Sequence, residues 1–157
     1  MTEPGQPTGA TPARTVRSYR SEEIEVTFDS GLCRHAAECV RGLPAVFDTT
    51  RRPWISPQAA PAGQVAEVVR RCPTGALRHR LPDGPDEVAA RPTEVTRTAD
   101  GRLLLRGELR IDEGGAAAGA NGTAGGGPVR EATRAMLCGC GRSERQPYCD
   151  RSGECGG

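Results

Sequence analysis

Seven cysteines in two groups constrain this chain more than any other feature. Cys33, Cys39 and Cys72 lie in the first half; Cys138, Cys140, Cys149 and Cys155 crowd the end of the second. The remainder is poor material for a core, since 21 of 157 residues are Gly, 13 are Pro and aromatics make up 3%. Small domains short of apolar bulk need disulfides or metal to stay folded. The opening stretch MTEPGQPTGATPARTV has no apolar h-region, and no window reaches the length that crosses a bilayer. A cytoplasmic chain with reduced thiols is therefore the expectation, and an odd cysteine count also argues against a purely disulfide framework. The thiols are expected to bind metal or a metal cluster.

Charge narrows the partners. The chain has 21 basic residues, all Arg, against 20 acidic ones, for a net charge of +1. Nucleic-acid binding would leave a clear basic excess, so no nucleic-acid partner is expected. Glu22, Glu23 and Glu25 read as a solvated strand edge. Arg51-Arg52 and Arg70-Arg71 read as solvated pairs, either of which could dock an acidic redox partner.

Composition divides the chain. Residues 1–15 read as a disordered tail, and "LPDGPDEVAARP" (81–92) as a turn-rich connection. "EGGAAAGANGTAGGGP" (113–128) reads as a flexible low-complexity insertion within the second half. In the first half, Ile24, Val26 and Phe28 alternate with polar residues, which predicts a half-buried strand over 23–28 leading to Cys33. "AGQVAEVVRR" (62–71) places Val65, Val68 and Val69 on one helical face, and Cys72-Pro73 ends the helix. Leu43, Val46, Phe47, Trp54 and Ile55 read as core that also keeps water from the cysteines.

A Cys-Pro after a helix, with earlier cysteines after a strand, is a recurrent iron–sulfur arrangement. The usual C-x2-C-x2-C run is here "CRHAAEC", with Ala36 in the middle cysteine position. Three cysteines suffice for a [3Fe-4S] cluster; a [4Fe-4S] cluster needs one more ligand, for which His35 is the nearest candidate. Four quoted elements then carry a resemblance: Cys33-Arg34-His35 through Cys39, Gly42 through Phe47, Arg52 through Ile55, and Cys72 through Leu77. With them, residues 17–80 resemble the divergent single-cluster [4Fe-4S] ferredoxin-like domain of bacteria. The resemblance implies that Cys33, Cys39 and Cys72 bind the cluster and that His35 occupies the family's His position.

The second half reads as a hairpin around Asp100-Gly101, with Leu103 and Leu105 on one face and Leu104 on the other. A further strand over 132–137 leads into Cys138. From chemistry alone, the closely spaced thiolates that follow suit zinc or an iron–sulfur cluster. The intervening residues carry a second resemblance. Cys138, Cys140, Ser143, Pro147, Cys149 and Asp150 reproduce the C-x-C-x2-S-x3-P-x-C-D pattern of the CDGSH iron–sulfur domain, and the resemblance covers about 93–153. It implies one [2Fe-2S] cluster held by three Cys and one His. Gly153 stands where that His belongs, and Cys155, two residues on, is the natural substitute. An all-thiolate ligand set implies a potential of order −400 mV and no His-linked pH dependence.

The expected fold class is α+β: a small ferredoxin-like cluster domain at 16–80, a linker at 81–92, and a small β-rich CDGSH-type domain at 93–157. The expected function is a small electron carrier or relay, not an enzyme, with a redox partner protein and no membrane. Relatives of the CDGSH type dimerise, so a dimer through that domain is a further expectation. The alternatives are a cluster storage, sensing or transfer protein, and a binding module stabilised by zinc at the terminal site.

Overall fold

A computed structural model describes residues 15–84, 86–113 and 129–150. Nearly all of the tail expected at 1–15 and of the insertion expected at 113–128 lies outside the described residues, as do Gly153 and Cys155. The described residues hold mixed helix and strand, with two three-stranded antiparallel sheets.

The first sheet is built from β1 (Val16–Arg20), β2 (Glu25–Asp29) and β3 (Leu77–Arg80), in the order β1-β2-β3. The strand expected over 23–28 begins two residues late. Ser21 explains the delay, because its Oγ accepts the N–H groups of Glu23 and Ile24 and so closes a turn out of β1. Helix α1 (Glu38–Gly42) is short, whereas α2 (Ala62–Arg70) matches the apolar period, with Val65, Val68 and Val69 all buried. These valines pack with Ile24, Val26, Val46, Phe47, Ile55 and Leu77 into the larger core. Strands β1 and β3 and helix α1 are not apparent in the sequence. Each has only four or five residues, and Arg supplies two of the five residues of β1 and two of the four of β3.

The second sheet joins β4 (Glu94–Arg97), β5 (Leu103–Asp112) and β6 (Val129–Leu137) in the order β4-β5-β6. The hairpin between β4 and β5 turns at Asp100-Gly101 as expected. The Thr98 N–H donates to the Arg102 carbonyl at 2.8 Å, and Gly101 has φ +82°, the left-handed position that such a loop requires. Register slips once between Arg106 and Leu109, a bulge at Gly107. The core here is small: Leu109, Ile111, Ala132 and Ala135, with Leu105, Leu137 and Tyr148 at its margin.

The segment read as a linker is mostly exposed, but one residue in it is firmly packed. Glu87 has a side chain only 4% exposed; its Oε1 lies 2.6 Å from Nη2 of Arg134 on β6 and accepts the Thr133 hydroxyl at 3.0 Å. Its Oε2 lies 3.5 Å from Nδ1 of the buried His79 on β3. Burial disfavours the Glu87 carboxylate, but hydrogen bonds and the Arg134 charge outweigh it and hold its pKa low. Turn residues mark the bends of this segment, but they gave no sign of the carboxylate wedged between the two sheets.

Candidate metal centres

The first centre is assembled from three elements. Strand β2 ends at the buried Asp29, whose Oδ1 accepts the Gly31 N–H at 2.9 Å and turns the chain toward Cys33. Residues 33–39 then wrap back into α1, which carries Cys39 in its first turn. His35 (φ +55°) and Ala37 (φ +62°) both adopt the left-handed conformation that side chains disfavour. Two such residues in one short loop mark a conformation imposed by its surroundings. Arg41 braces the loop by donating to the Ala36 carbonyl at 2.8 Å. Cys72 follows the end of α2, its N–H donating to the Val69 carbonyl at 3.1 Å.

These elements bring Cys33, Cys39 and Cys72 to one cavity, walled by Phe28, Trp54, Ala76 and Leu77. Phe28 and Trp54 meet edge to face, with ring centroids 4.9 Å apart. Burial pushes the Cys39 thiol up, and the charges of Cys72 and Cys33 push in the same direction. Such mutually repelling sulfurs in an apolar pocket fit a polycation such as an iron–sulfur core, for which thiolates are the preferred soft ligands. His35 is exposed and lines a neighbouring cavity of about 840 Å³, which Cys33, Cys39 and Trp54 also border. Among the described residues, no three His, Cys, Asp or Glu side chains are gathered closely enough to hold a single metal ion.

The second set of cysteines sits on one loop beyond β6. Cys138 and Cys140 bring their sulfurs to 3.5 Å, somewhat inside the separation of about 3.8 Å that two thiolates on one tetrahedral metal adopt at ~2.3 Å bonds. Gly139 between them lies so close to the hairpin turn that a Cβ there would stand 1.9 Å from the Gly101 carbonyl oxygen. The chain then returns beside β6: the Cys138 N–H donates to the Pro147 carbonyl at 2.9 Å and the Cys149 N–H to the Met136 carbonyl at 3.3 Å. Cys149 is thereby buried against Met136, near Leu104, Cys138 and Cys140. Ser143 Oγ accepts the Arg145 N–H at 3.1 Å and Asp150 Oδ2 accepts the Glu144 N–H at 3.0 Å, so these two motif residues, like Pro147, knit the loop. Burial opposes ionisation of Cys138, but the N–H groups of Ser143 and Cys140 with other hydrogen bonds bring its pKa down to about 6.

The two centres share an interface. Arg134, 3% exposed, donates through Nη1 to the Val69 carbonyl and to the Cys72 carbonyl at 3.0 Å, and through Nη2 to the Leu77 carbonyl at 2.9 Å. It thus holds both flanks of the Cys72-Pro73 segment. Gly75 permits the approach: with φ +69°, it faces β6 so closely that a Cβ would lie 2.7 Å from the Arg134 carbonyl oxygen. Sequence reasoning missed Arg34, Glu87 and Arg134. No local pattern separates these arginines from the other nineteen, although position 34 inside the C-x-H element could have drawn notice. The paired arginines are exposed as expected but engaged locally: Arg51 with Asp48 at 3.1 Å, Arg71 with Glu67 at 2.5 Å, and Arg52 with the Thr49 and Arg51 carbonyls.

Sequence comparison agrees with the first centre. Residues 19–81 match the family described as divergent 4Fe-4S mono-cluster. The uncharacterized protein YjdI of Escherichia coli K12 is 41% identical over 64 residues, covering 41% of this chain and 84% of YjdI; YjdI of strain O157:H7 matches to the same extent. The chain belongs to the divergent 4Fe-4S mono-cluster family, and its first half is an iron–sulfur-binding domain. The match ends at residue 81, before β4 begins. No solved structure matches the chain. Among the described residues no helix is long and apolar enough to cross a membrane.

Proposed function

We propose that this protein is a two-centre iron–sulfur electron carrier. Cys33, Cys39 and Cys72, with His35 as fourth ligand, hold a [4Fe-4S] cluster. Cys138, Cys140 and Cys149, with Cys155, hold a [2Fe-2S] cluster in a CDGSH-type domain. Bound clusters would supply reversible one-electron chemistry. The observation that carries the reading is the convergence of three cysteines from distant elements on one apolar cavity, within a domain whose family binds such a cluster. At the second centre, support comes from the close Cys138–Cys140 pair and from a loop whose N–H groups favour thiolate.

The chain's own residues set the conditions for that chemistry. Phe28, Trp54 and Leu77 exclude water from the first cavity. Arg134 fixes the backbone on both sides of Cys72. Gly139 keeps Cys138 and Cys140 on a tight turn against the hairpin. A redox partner protein follows from this role, and the exposed Arg17 and Arg52, which border the neighbouring cavity beside Cys33 and Cys39, offer a charged surface for it.

The test is anaerobic purification of the full chain, with iron, sulfide and zinc quantified and Mössbauer spectra recorded for wild type and Cys155→Ser. About six irons per chain, with four-iron and two-iron signals, is expected. Loss of the two-iron signal alone in Cys155→Ser identifies its ligand. Zinc in place of the two-iron signal makes the second half a structural module and leaves electron transfer to the first.

A further inference from the structure

Arg34 follows Cys33 in sequence, yet its Nε donates to the carbonyl of Cys149 at 2.5 Å. From the same guanidinium, Nη1 donates to the carbonyls of Cys33 at 2.8 Å and Gly31 at 3.0 Å. One planar fork thus spans the backbone of one cysteine from each set. We propose that Arg34 is a coupling residue: it ties the two ligand loops together and gives both centres a shared positive charge, so that the reduction of each depends on the other. This rests on the two-centre reading above.

Three physical facts support it. The group is half-buried, where charge interactions are screened less than in open solvent. Burial and Arg145 press its pKa down from the usual guanidinium value against the pull of Asp150, Cys149 and Cys33, which places acidic groups of both loops beside it. A guanidinium also keeps its proton at any working pH, so its charge is fixed. Uptake of one electron at either centre adds one negative charge beside that cation, with no bond made or broken and no proton moved at Arg34. The first reduction therefore gains from the cation. The second must be made against the charge the first has added. A lysine would keep the charge but could not reach both carbonyls in one plane.

The experiment is an anaerobic dithionite titration of the iron-loaded full chain, followed by electron paramagnetic resonance, for wild type, Arg34→Gln and Arg34→Lys. In wild type with both centres reduced, each signal should be broadened by the other. Arg34→Gln should lose about tenfold in electron affinity at both centres, about 59 mV lower for a one-electron couple. Arg34→Lys should recover part of that loss. Unbroadened, independent wild-type signals overturn the coupling, as does an Arg34→Gln protein with both iron signals present and one or neither potential moved. If Arg34→Gln fails to load, the wild-type spectrum and Arg34→Lys decide the matter. A wild type lacking a second iron signal refutes the two-centre reading itself and takes the coupling with it, whereas two intact but independent centres refute the coupling alone.

Discussion

The two halves of this chain gather their cysteines in opposite ways. In the first, cysteines from the loop after β2, from α1 and from the end of α2 line one cavity only because a core of Ile24, Val26, Phe47, Ile55 and Val69 brings those elements together. In the second, Cys138, Cys140 and Cys149 lie on one loop, beside a core made largely of Leu109, Ile111, Ala132 and Ala135. The first centre is a product of tertiary folding, whereas the second is close to a local property of its loop. The difference predicts that the first site is lost with global unfolding and the second with damage to its turn.

Arg134 is the strongest place to break that contrast. Arg134→Met would remove the guanidinium partner of the buried Glu87 carboxylate and the Arg134 donor from the Val69, Cys72 and Leu77 carbonyls. Removing one partner of a buried ion pair costs about 3–5 kcal/mol. Thermal unfolding should show both halves weakened in a single, lower transition. A first half that melts as in wild type would show that the halves are held independently.

Gly139→Ala sharpens the contrast from the other side. Its Cβ would meet the Gly101 carbonyl, and forcing the turn apart should cost about 1–3 kcal/mol. Metal at the second centre should be lost while the first keeps its iron, measured as metal content of the purified protein. Equal loss from both would show that the second loop is no separate unit.

The smallest effect concerns the thiols of the metal-free chain. Cys138 has its pKa lowered to about 6, whereas that of Cys39 is raised by burial. A depressed pKa means that thiolate stabilisation is complete above the unfolded value of about 9, declines as pH falls, and is gone below about 6. Iodoacetamide labelling resolved by peptide mass should therefore give Cys138 a rate midpoint near pH 6, with Cys39 labelling only at alkaline pH. The same midpoint for both would remove the electrostatic distinction between the loops.

The sequence exposed these features unevenly, and the reasons are physical. Helix α2 and the Asp100-Gly101 hairpin were legible because an apolar period and a turn pair are local signals. The cysteines were legible because few other residues bind soft metals. Strands β1 and β3 were not, because short Arg-rich strands alternate too few apolar residues to show a period. The roles of Arg34, Glu87 and Arg134 were hidden because each depends on a partner far along the chain, and nothing in a charged side chain's neighbours reveals that it will be buried.

The most direct test of two separate ligand sets compares Cys72→Ser with Cys149→Ser in the full chain, each purified anaerobically and examined by Mössbauer spectroscopy. Cys72→Ser should lose the four-iron signal and keep the two-iron signal, and Cys149→Ser should do the reverse. If Cys149→Ser leaves every iron signal of the wild type in place, the second set of cysteines does not bind a cluster and the two-centre account is wrong.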